Sequence, residues 1–417
     1  MFASTALAFA GCVPGLESGT EAEEETIVPT GDFVRSDRLR NTSPAVDTDQ
    51  LAQLVAGNSV FAFDLYQYLR SSDGNLFFSP YSISSALAMT YAGARGSTEQ
   101  AMAGALDFTL GQESLHPAFN ALDLALKSRD QDSFQLEIAN ATWGQNGYPF
   151  LVSFLDVLAE NYDAGMRLLD FVNDPEPSRQ IINDWVSEQT QGRIQELVAS
   201  GMITPLTRLV LTNAIFFKAD WKYVFPEEST RSAAFNLRDG SSVNVPMMSH
   251  AFATGYASGD GYEAVEVPYM GDQLSMLVVV PAAGRFDEIE AGLDSAKVDQ
   301  IVDGLALENV ALTLPKWSFS SDFSLKTALT ELGMGEAFAG ADFSGMTGTR
   351  ELFISEVVHQ AKVSVDERGT EASAGTAVII QAGLPVTVTV DRPFVFMIRD
   401  LETRAILFVG RVLNPAL

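Results

Sequence analysis

Histidine and cysteine are common carriers of catalysis and of metal binding, and this sequence has few of them. It contains His116, His250 and His359, and one cysteine, Cys12. No His-Glu-x-x-His, paired-cysteine, Gly-x-Ser-x-Gly or P-loop pattern occurs, so no pattern marks a zinc site, an α/β-hydrolase or a phosphate-binding loop. A Ser/His/Asp triad assembles in space and leaves no such pattern, but no nucleophile motif accompanies these histidines. We therefore predict that the protein is not an enzyme and that it needs no metal or cofactor.

The chain is strongly acidic, with 26 basic against 54 acidic residues and a formal net charge of −28. This charge disfavours nucleic acid, heparin-like polyanions and anionic lipid surfaces as partners. A hydrophobic content of 47% supports a full globular core. No run reaches the roughly 18 apolar residues that span a bilayer. The single cysteine excludes a disulfide bond within the chain.

The first twelve residues, from Met1 to Cys12, are apolar and small and end in Ala-Gly-Cys. This resembles the export signal of bacterial lipoproteins, although Phe9 stands where leucine is usual and no basic residue precedes the apolar run. The resemblance implies an extracellular, cell-surface or periplasmic protein that contacts the membrane only through a lipid on Cys12; the alternative is a disordered or buried N-terminus. Residues 13–49 are predicted to form an acidic flexible tether. Residues 50–417 are predicted to form a single domain, because no Gly/Ser-rich linker divides them.

An unusual stretch lies near the C-terminal end of the chain. A β-rich run breaks at Gly369, a block of glycine, alanine and serine follows, and a second β-rich run starts at Thr376. Small residues pack little in a sheet, and glycine costs backbone entropy there. The pattern indicates either a segment that must fit a tight slot or move, or a long hairpin loop that tolerates small residues.

Regular elements precede this stretch. Apolar residues at helical spacing predict an amphipathic helix over residues 51–69. Ser79 can cap a second helix, with Pro80 at its first position. The apolar run over residues 209–221 predicts a strand buried on both faces. Asn213, a polar residue inside that run, therefore needs a buried partner.

Several motifs resemble, in order, those of the serpins, and in particular of bacterial inhibitory serpins. The motifs are Asn-Leu-Phe-Phe-Ser-Pro-Tyr-Ser-Ile from Asn75, Gly-Ala-Arg-Gly-Ser-Thr from Gly93, the strand that ends at Trp221, Glu-Arg-Gly-Thr-Glu-Ala-Ser-Ala-Gly-Thr from Glu367, and the C-terminal hairpin from Asp391. The resemblance covers residues 51–415. It implies an α+β fold with three β-sheets, eight to nine helices and an exposed reactive-centre loop at about residues 367–390.

The resemblance implies an inhibitor that traps serine or cysteine proteases as a covalent acyl complex. After cleavage, the freed loop inserts as a strand into the central sheet, and the protein acts as a monomer. The hinge that starts insertion would comprise Glu367, Gly369, Thr370, Ala372 and Ala374. A non-inhibitory serpin, which acts as a binding or carrier module and is cleaved as a plain substrate, is the alternative. Such a protein would be expected to carry bulky, charged or proline residues in this hinge, and the inward-facing positions here carry none.

Spacing within the family places the scissile bond at Gly383–Leu384, with Ala382–Gly383 as the alternative one residue away. A small residue before the bond favours elastase-like or subtilisin-like targets. Trypsin-like targets are disfavoured because the nearest basic residues, Arg368 and Arg392, lie at the roots of the loop.

The resemblance also assigns positions beneath the sheet that must open during insertion. Trp221 matches the tryptophan at the breach, where insertion begins. Four residues match the buried hydrogen-bond cluster called the shutter: Ser79, Ser82, Asn213 and His359. All of these roles are structural, and none is catalytic.

Overall fold

The computed structural model describes residues 26–27, 32–129, 134–370 and 384–417. Its helices are α1 (Thr48–Leu69), α2 (Pro80–Tyr91), α3 (Gly96–Ala105), α4 (Gln112–Lys127), α5 (Val152–Tyr162), α6 (Pro175–Gln189), α7 (Phe286–Ala291), α8 (Ser295–Asp303), α9 (Lys326–Leu329), α10 (Gly335–Phe338) and α11 (Ser344–Thr347). Its strands are β1 (Thr26–Ile27), β2 (Phe33–Val34), β3 (Leu76–Phe78), β4 (Phe134–Gln145), β5 (Phe150–Leu151), β6 (Met166–Leu169), β7 (Leu209–Asp220), β8 (Arg231–Asn236), β9 (Ser242–Gly259), β10 (Tyr262–Pro268), β11 (Leu274–Pro281), β12 (Ala306–Pro315), β13 (Trp317–Ser324), β14 (Ile354–Val365), β15 (Gly369–Thr370), β16 (Val386–Thr389), β17 (Phe394–Asp400) and β18 (Ile406–Val412).

The strands form two large sheets and one small one. The seven-stranded sheet has the order β13-β14-β15-β7-β4-β6-β2, and β1 pairs only with β5. The nine-stranded sheet has the order β16-β12-β9-β10-β11-β17-β18-β3, with β8 also paired to β9. The α+β architecture is as predicted, and the third of the expected large sheets is not resolved as a separate sheet. The 18-residue β9 pairs with β8 over residues 242–247, with β12 over residues 247–256 and with β10 over residues 256–259, so one strand joins what would be two sheets.

The helices agree with the predicted number once single turns are set aside. The described residues contain eleven α-helical segments, and three of these (α9, α10 and α11) have only four residues. Helix α2 contacts β4 and β7 of one sheet and β18 of the other, so it lies between the two sheets. Ser79 accepts a hydrogen bond from the Ser82 N–H at the start of this helix and Pro80 follows it, which confirms the predicted cap.

Strand β7 forms the centre of the seven-stranded sheet. All of its first nine residues are buried, which confirms the prediction of a strand covered on both faces. One face packs on the main core, and the other packs on a second apolar cluster that includes Ile182 and Val186 of α6. The sheet therefore has α2 on one side of its centre and α6 on the other.

The prediction of a flexible tether up to residue 49 is corrected for the part of it that the structure describes. Strand β2 pairs with β6 at the edge of the seven-stranded sheet, and Val34 is buried. A Cβ on Gly165 would lie 2.5 Å from the Val34 carbonyl oxygen, so this close approach requires glycine. Arg40 binds Asp123 at 2.5 Å. The composition of this segment does not predict the packing, because the packing depends on single contacts. The predicted export signal, including Cys12, lies outside the described residues.

The described ranges contain neither a membrane-spanning helix nor a cluster of metal ligands. No helix among them is long and apolar enough to cross a membrane. No group of three or more His, Cys, Asp or Glu side chains within them is arranged to hold a metal ion.

Candidate functional site

The two central strands of the seven-stranded sheet are close neighbours over most of their length and part at one end. Strands β14 and β7 run parallel from Ile354 opposite Leu209 to Lys362 opposite Phe216, with one shift of register between Ile354 and Glu356. Beyond that point the short strand β15 lies between them. Gly369 and Thr370 pair with Asp220 and Ala219 of β7, and Thr370 also pairs with Val365 of β14. Because β15 is antiparallel to both neighbours, the chain has already turned back into the sheet at the start of the unusual stretch.

A tight turn connects β14 to β15. The Asp366 N–H donates to the Gly369 carbonyl at 3.0 Å, and the Arg368 N–H donates to the Asp366 carboxylate at 2.8 Å. Trp221 holds this turn from the side of β7. Its backbone N–H donates to the Arg368 carbonyl at 2.8 Å and its indole Nε1–H to the Asp366 carbonyl at 3.0 Å. The buried Trp221 thus satisfies two carbonyls of the turn.

Gly369 occupies a position that admits no side chain. A Cβ there would lie 2.1 Å from the Ala219 carbonyl oxygen and 2.8 Å from the Asp220 Cα, and both of these atoms are backbone. Backbone cannot rotate away as the end of a side chain can, so glycine is the residue that fits without moving β7. The predicted hinge glycine therefore lies where the strand is most tightly enclosed.

Thr370 points into the core between the sheets. The residue is fully buried, and its hydroxyl lies 2.9 Å from the Tyr269 hydroxyl. The Tyr269 ring stacks on Trp221 with 4.5 Å between centroids and 11° between planes. Burial raises the pKa of Tyr269, so this hydroxyl stays protonated and can donate to Thr370. The inward face of the hinge thus begins at Thr370, as the alternation of side chains in a strand requires.

Glu367 anchors the turn on its outer side. Its carboxylate accepts from Lys316 Nζ at 2.6 Å and from the Thr230 hydroxyl at 2.8 Å. Its carbonyl accepts from the Phe225 N–H at 2.8 Å. Burial by itself would raise the pKa of Glu367, but the bonds from Lys316 and Thr230 outweigh it and hold that pKa below the usual value.

A polar cluster lies where β14 and β7 are still paired. His359 is the register partner of Asn213, and Asn213 is the partner of Asn140 on the next strand. The structure brings together all four predicted shutter residues, each of them buried: Ser79, Ser82, Asn213 and His359. The Asn213 amide donates to Ser82 Oγ at 2.6 Å and also to the Asn140 side-chain oxygen. Asn213 therefore has the buried partners that its place in an apolar strand predicts.

The hydrogen bonds fix the protonation state of His359. Its Nε2 accepts from the Ser79 N–H at 3.3 Å, so the single proton of the neutral ring is on Nδ1, which donates to the Asn213 side-chain oxygen. Burial lowers the pKa of His359 to about 3. A neutral ring with both nitrogens paired is a structural link between β14, β7 and α2, and it is not placed to act as a base.

The other two histidines lie in different elements. His116 of α4 is buried, shares a 2.7 Å hydrogen bond with the Tyr162 hydroxyl, and has its pKa lowered by burial to about 3. His250 of β9 lies edge-on to Phe225 and Phe252, and burial lowers its pKa as well. All three rings are thus held neutral by the core.

Residues 56–415 match the family model described as Serpin (serine protease inhibitor). The chain belongs to the serpin family. The predicted resemblance is therefore confirmed at the level of the family and its fold, and the family description names inhibition rather than catalysis.

Relatives of this serpin carry names of different kinds. An uncharacterized serpin-like protein of Thermococcus kodakarensis is 39% identical over 386 residues, which cover 90% of each chain. The leukocyte elastase inhibitor of Bos taurus is 40% identical over 380 residues, which cover 88% of this chain and 100% of the relative. The solved structure of human thyroxine-binding globulin complexed with thyroxine matches with a TM-score of 0.80 and 31% identity, over 88% of this chain and 99% of that one. The family thus includes a protease inhibitor and a protein named for ligand binding.

Part of the predicted site lies outside the described residues: Ala372, Ala374, Ala382 and Gly383. Leu384, on the far side of the predicted bond, is described and is 99% exposed. Two residues later the chain enters β16, which pairs in parallel with β12 from Val386 opposite Val310. The C-terminal root of the serpin loop is therefore fixed to the edge of the nine-stranded sheet.

The sequence reasoning missed residues that the structure adds to the site. Asn140 joins the shutter by donating to the Ser82 carbonyl at 3.1 Å. Tyr269 contacts the hinge, and Lys316 and Thr230 bind Glu367. In the sequence, Asn140 is marked only as a polar residue within a strand-like run. That pattern identifies it as a shutter residue only once its pairing with Asn213 of β7 is known.

Proposed function

We propose that this serpin inhibits serine-type endopeptidases by suicide-substrate trapping, with insertion of the cleaved loop between β14 and β7. The observation that carries the proposal is β15. Gly369 and Thr370 already form an antiparallel strand between the two strands that must separate. Insertion then lengthens an existing strand and does not have to begin a new one, which removes the costly first step of pairing.

The register of β15 defines where the rest of the loop would go. Thr370 pairs with Ala219, so extending the strand places Thr376 opposite Asn213. Thr376 would face the same side of the sheet as Thr370, because side chains repeat every second residue. Its hydroxyl would then reach the shutter as the His359–Asn213 bond breaks. We propose that Thr376 replaces His359 as a partner of Asn213 in the inserted form.

The energy available from insertion is large. Ten further residues would form roughly twenty ladder bonds with the two neighbours and would replace about eight between β14 and β7. A net gain of about a dozen bonds at about 0.5–1.5 kcal/mol each is on the order of 10 kcal/mol. This is comparable to the stability of a whole domain, so insertion can deform an attached protease.

We propose that the bait bond is Gly383–Leu384, with Ala382–Gly383 as the alternative, and that the target is an elastase-like or subtilisin-like protease. The full exposure of Leu384 and its short distance in sequence from the fixed strand β16 support this position. The identity of 40% to a protein named as an elastase inhibitor supports the class of target.

The test is to mix the purified protein separately with subtilisin and with an elastase and to analyse the products on denaturing gels and by mass spectrometry. We expect a stable band at the summed mass and a C-terminal fragment that begins at Leu384. Thr370→Arg is the control variant, because a buried guanidinium on the inward face blocks insertion while the bait remains. This variant should be cleaved without forming the complex.

A binding or carrier function is the competing proposal, and the similarity to thyroxine-binding globulin supports it. It predicts clean cleavage at the loop, a protease that stays active, and no rise in melting temperature after cleavage. A large rise after cleavage without a complex would mean that the loop inserts and that the protease tested is not the target.

We also propose that the protein is a monomeric surface lipoprotein anchored at Cys12. Expression with a labelled fatty acid should label the wild-type protein and leave Cys12→Ser unlabelled. Equal labelling of the two would refute the anchor.

A further inference from the structure

Three connections of the chain meet around a cavity of about 340 Å³, away from the hinge. The turn between β8 and β9 contributes Leu237 and Arg238, and the two ends of the β11–α7 connection contribute Pro281, the last residue of β11, and Phe286, the first of α7. The connection from β16 to β17 contributes Arg392, next to Pro393. This volume falls in the range of small-molecule sites, which is roughly 300–1,000 Å³.

Hydrogen bonds between the connections hold the cavity in shape. The Asn236 N–H donates to the Asp391 carbonyl at 2.7 Å, and Arg392 Nε donates to the Pro281 carbonyl at 2.9 Å. The β8–β9 turn is closed by the Leu237 N–H, which donates to the Ser241 carbonyl at 2.8 Å. Each of the three connections is thus hydrogen-bonded to another connection or within itself. A ligand would find the site already formed and would not bear the cost of ordering it.

The lining combines an apolar wall with two guanidinium groups. Phe286 is only 7% exposed, and Leu237 packs on the main core. The Arg238 guanidinium lies 5.9 Å from the centre of the Phe286 ring and binds Asp287 at 2.7 Å. The Asp287 side chain is 71% exposed, so this ion pair is weak and replaceable. Arg392 binds the adjacent Asp391 at 2.6 Å.

We infer that this cavity binds an amphipathic monocarboxylate, such as a medium-chain fatty acid. The carboxylate takes the place of Asp287 on Arg238, and guanidinium groups match carboxylates with two parallel hydrogen bonds. The apolar tail covers Phe286 and the two prolines. At about 30 Å³ for each water-sized group, the cavity holds roughly ten non-hydrogen atoms, which is close to the size of decanoate.

The inference does not depend on protease inhibition. The site lies at Arg392 and Pro393, directly after the strand that anchors the C-terminal root of the loop. A bound carboxylate would therefore contact this root, and the site would serve an inhibitor or a carrier equally.

The experiment is a calorimetric titration of the full chain with sodium decanoate and, separately, with decanamide, which keeps the tail and lacks the charge. We expect one saturable site for decanoate and binding at least tenfold weaker for decanamide. Arg238→Gln should weaken decanoate binding by about tenfold or more, since it removes a charge-assisted bond. Arg231→Gln is the matched control, because Arg231 is exposed on β8 and hydrogen-bonds only its neighbour's carbonyl among the bonds described. It should bind like the wild type.

A second variant tests the cavity itself. Ala283 lines the cavity and is exposed, so Ala283→Trp fills it without disturbing the core. With an unchanged melting temperature, this variant should lose decanoate binding. The inference is overturned if the wild type gives no saturable heat, if decanamide binds as tightly as decanoate, or if Arg238→Gln and Ala283→Trp bind like Arg231→Gln.

Discussion

Replacing Gly369 by alanine is predicted to expel β15 from the seven-stranded sheet. The added Cβ would lie 2.1 Å from a backbone oxygen of β7, where about 3 Å is the practical minimum, so the strand must move by about 1 Å or leave. Leaving breaks two or three ladder bonds at about 0.5–1.5 kcal/mol each, a loss of about 1–4 kcal/mol. The equilibrium between the docked and the expelled hinge should therefore shift by roughly fivefold to several hundredfold.

Hydrogen exchange measures this shift directly. Peptides that cover residues 366–370 should exchange at least about fivefold faster in Gly369→Ala than in the wild type, while β4 and β17 stay unchanged. The matched control is Gly104→Ala in α3, where nothing beyond the adjacent residues and the backbone of the same helix lies within 4 Å of the new Cβ. That variant should leave the hinge unchanged and stabilise the helix by about 0.5–1 kcal/mol. If the hinge amides of Gly369→Ala were as well protected from exchange as those of the wild type, the argument that the close approach of the backbone requires glycine would be refuted.

Three further predictions concern the shutter and the turn. Asn140→Ala should lower the free energy of unfolding by about 1–3 kcal/mol in a denaturant titration, because the Asn213 amide and Ser82 lose a buried partner; a change below about 0.5 kcal/mol would contradict this. Glu367 has a folded pKa below its unfolded value, so its contribution is present above about pH 4.3 and is lost as pH falls through the folded pKa. The melting temperatures of the wild type and Glu367→Gln should therefore differ at pH 7, and the difference should shrink as the pH is lowered below about 4.3; a difference that stays constant on acidification would contradict the assignment. His359 contributes with the same sign, because its folded pKa near 3 also lies below the unfolded value: the protein should lose about 1.4 kcal/mol per pH unit for this residue as pH falls from 6.5 toward 3, and a pH-independent difference between the wild type and His359→Asn would refute it.

The sequence by itself determined the local elements and the family. Helix α1 ends at Leu69 as its helical spacing predicts, and Ser79 and Pro80 start α2. Strand β7 is buried on both faces because its apolar run leaves no polar side. These features depend on neighbours a few residues apart, so propensity and periodicity are enough to identify them. The order of the motifs then identified the serpin fold.

Only the tertiary structure showed that Gly369 and Thr370 lie between β14 and β7. The residue type at Gly369 indicates a tight slot, but the slot is made by the Ala219 carbonyl, 150 residues away in the chain. Asn140 and His359 meet at Asn213 through pairings of similar range. The docking of residues 33–40 and the joining of two sheets by β9 are of the same kind. Such contacts depend on which strands become neighbours in the sheets. The free energy that favours one strand order over another comes from the whole core, so no short stretch of sequence predicts that order.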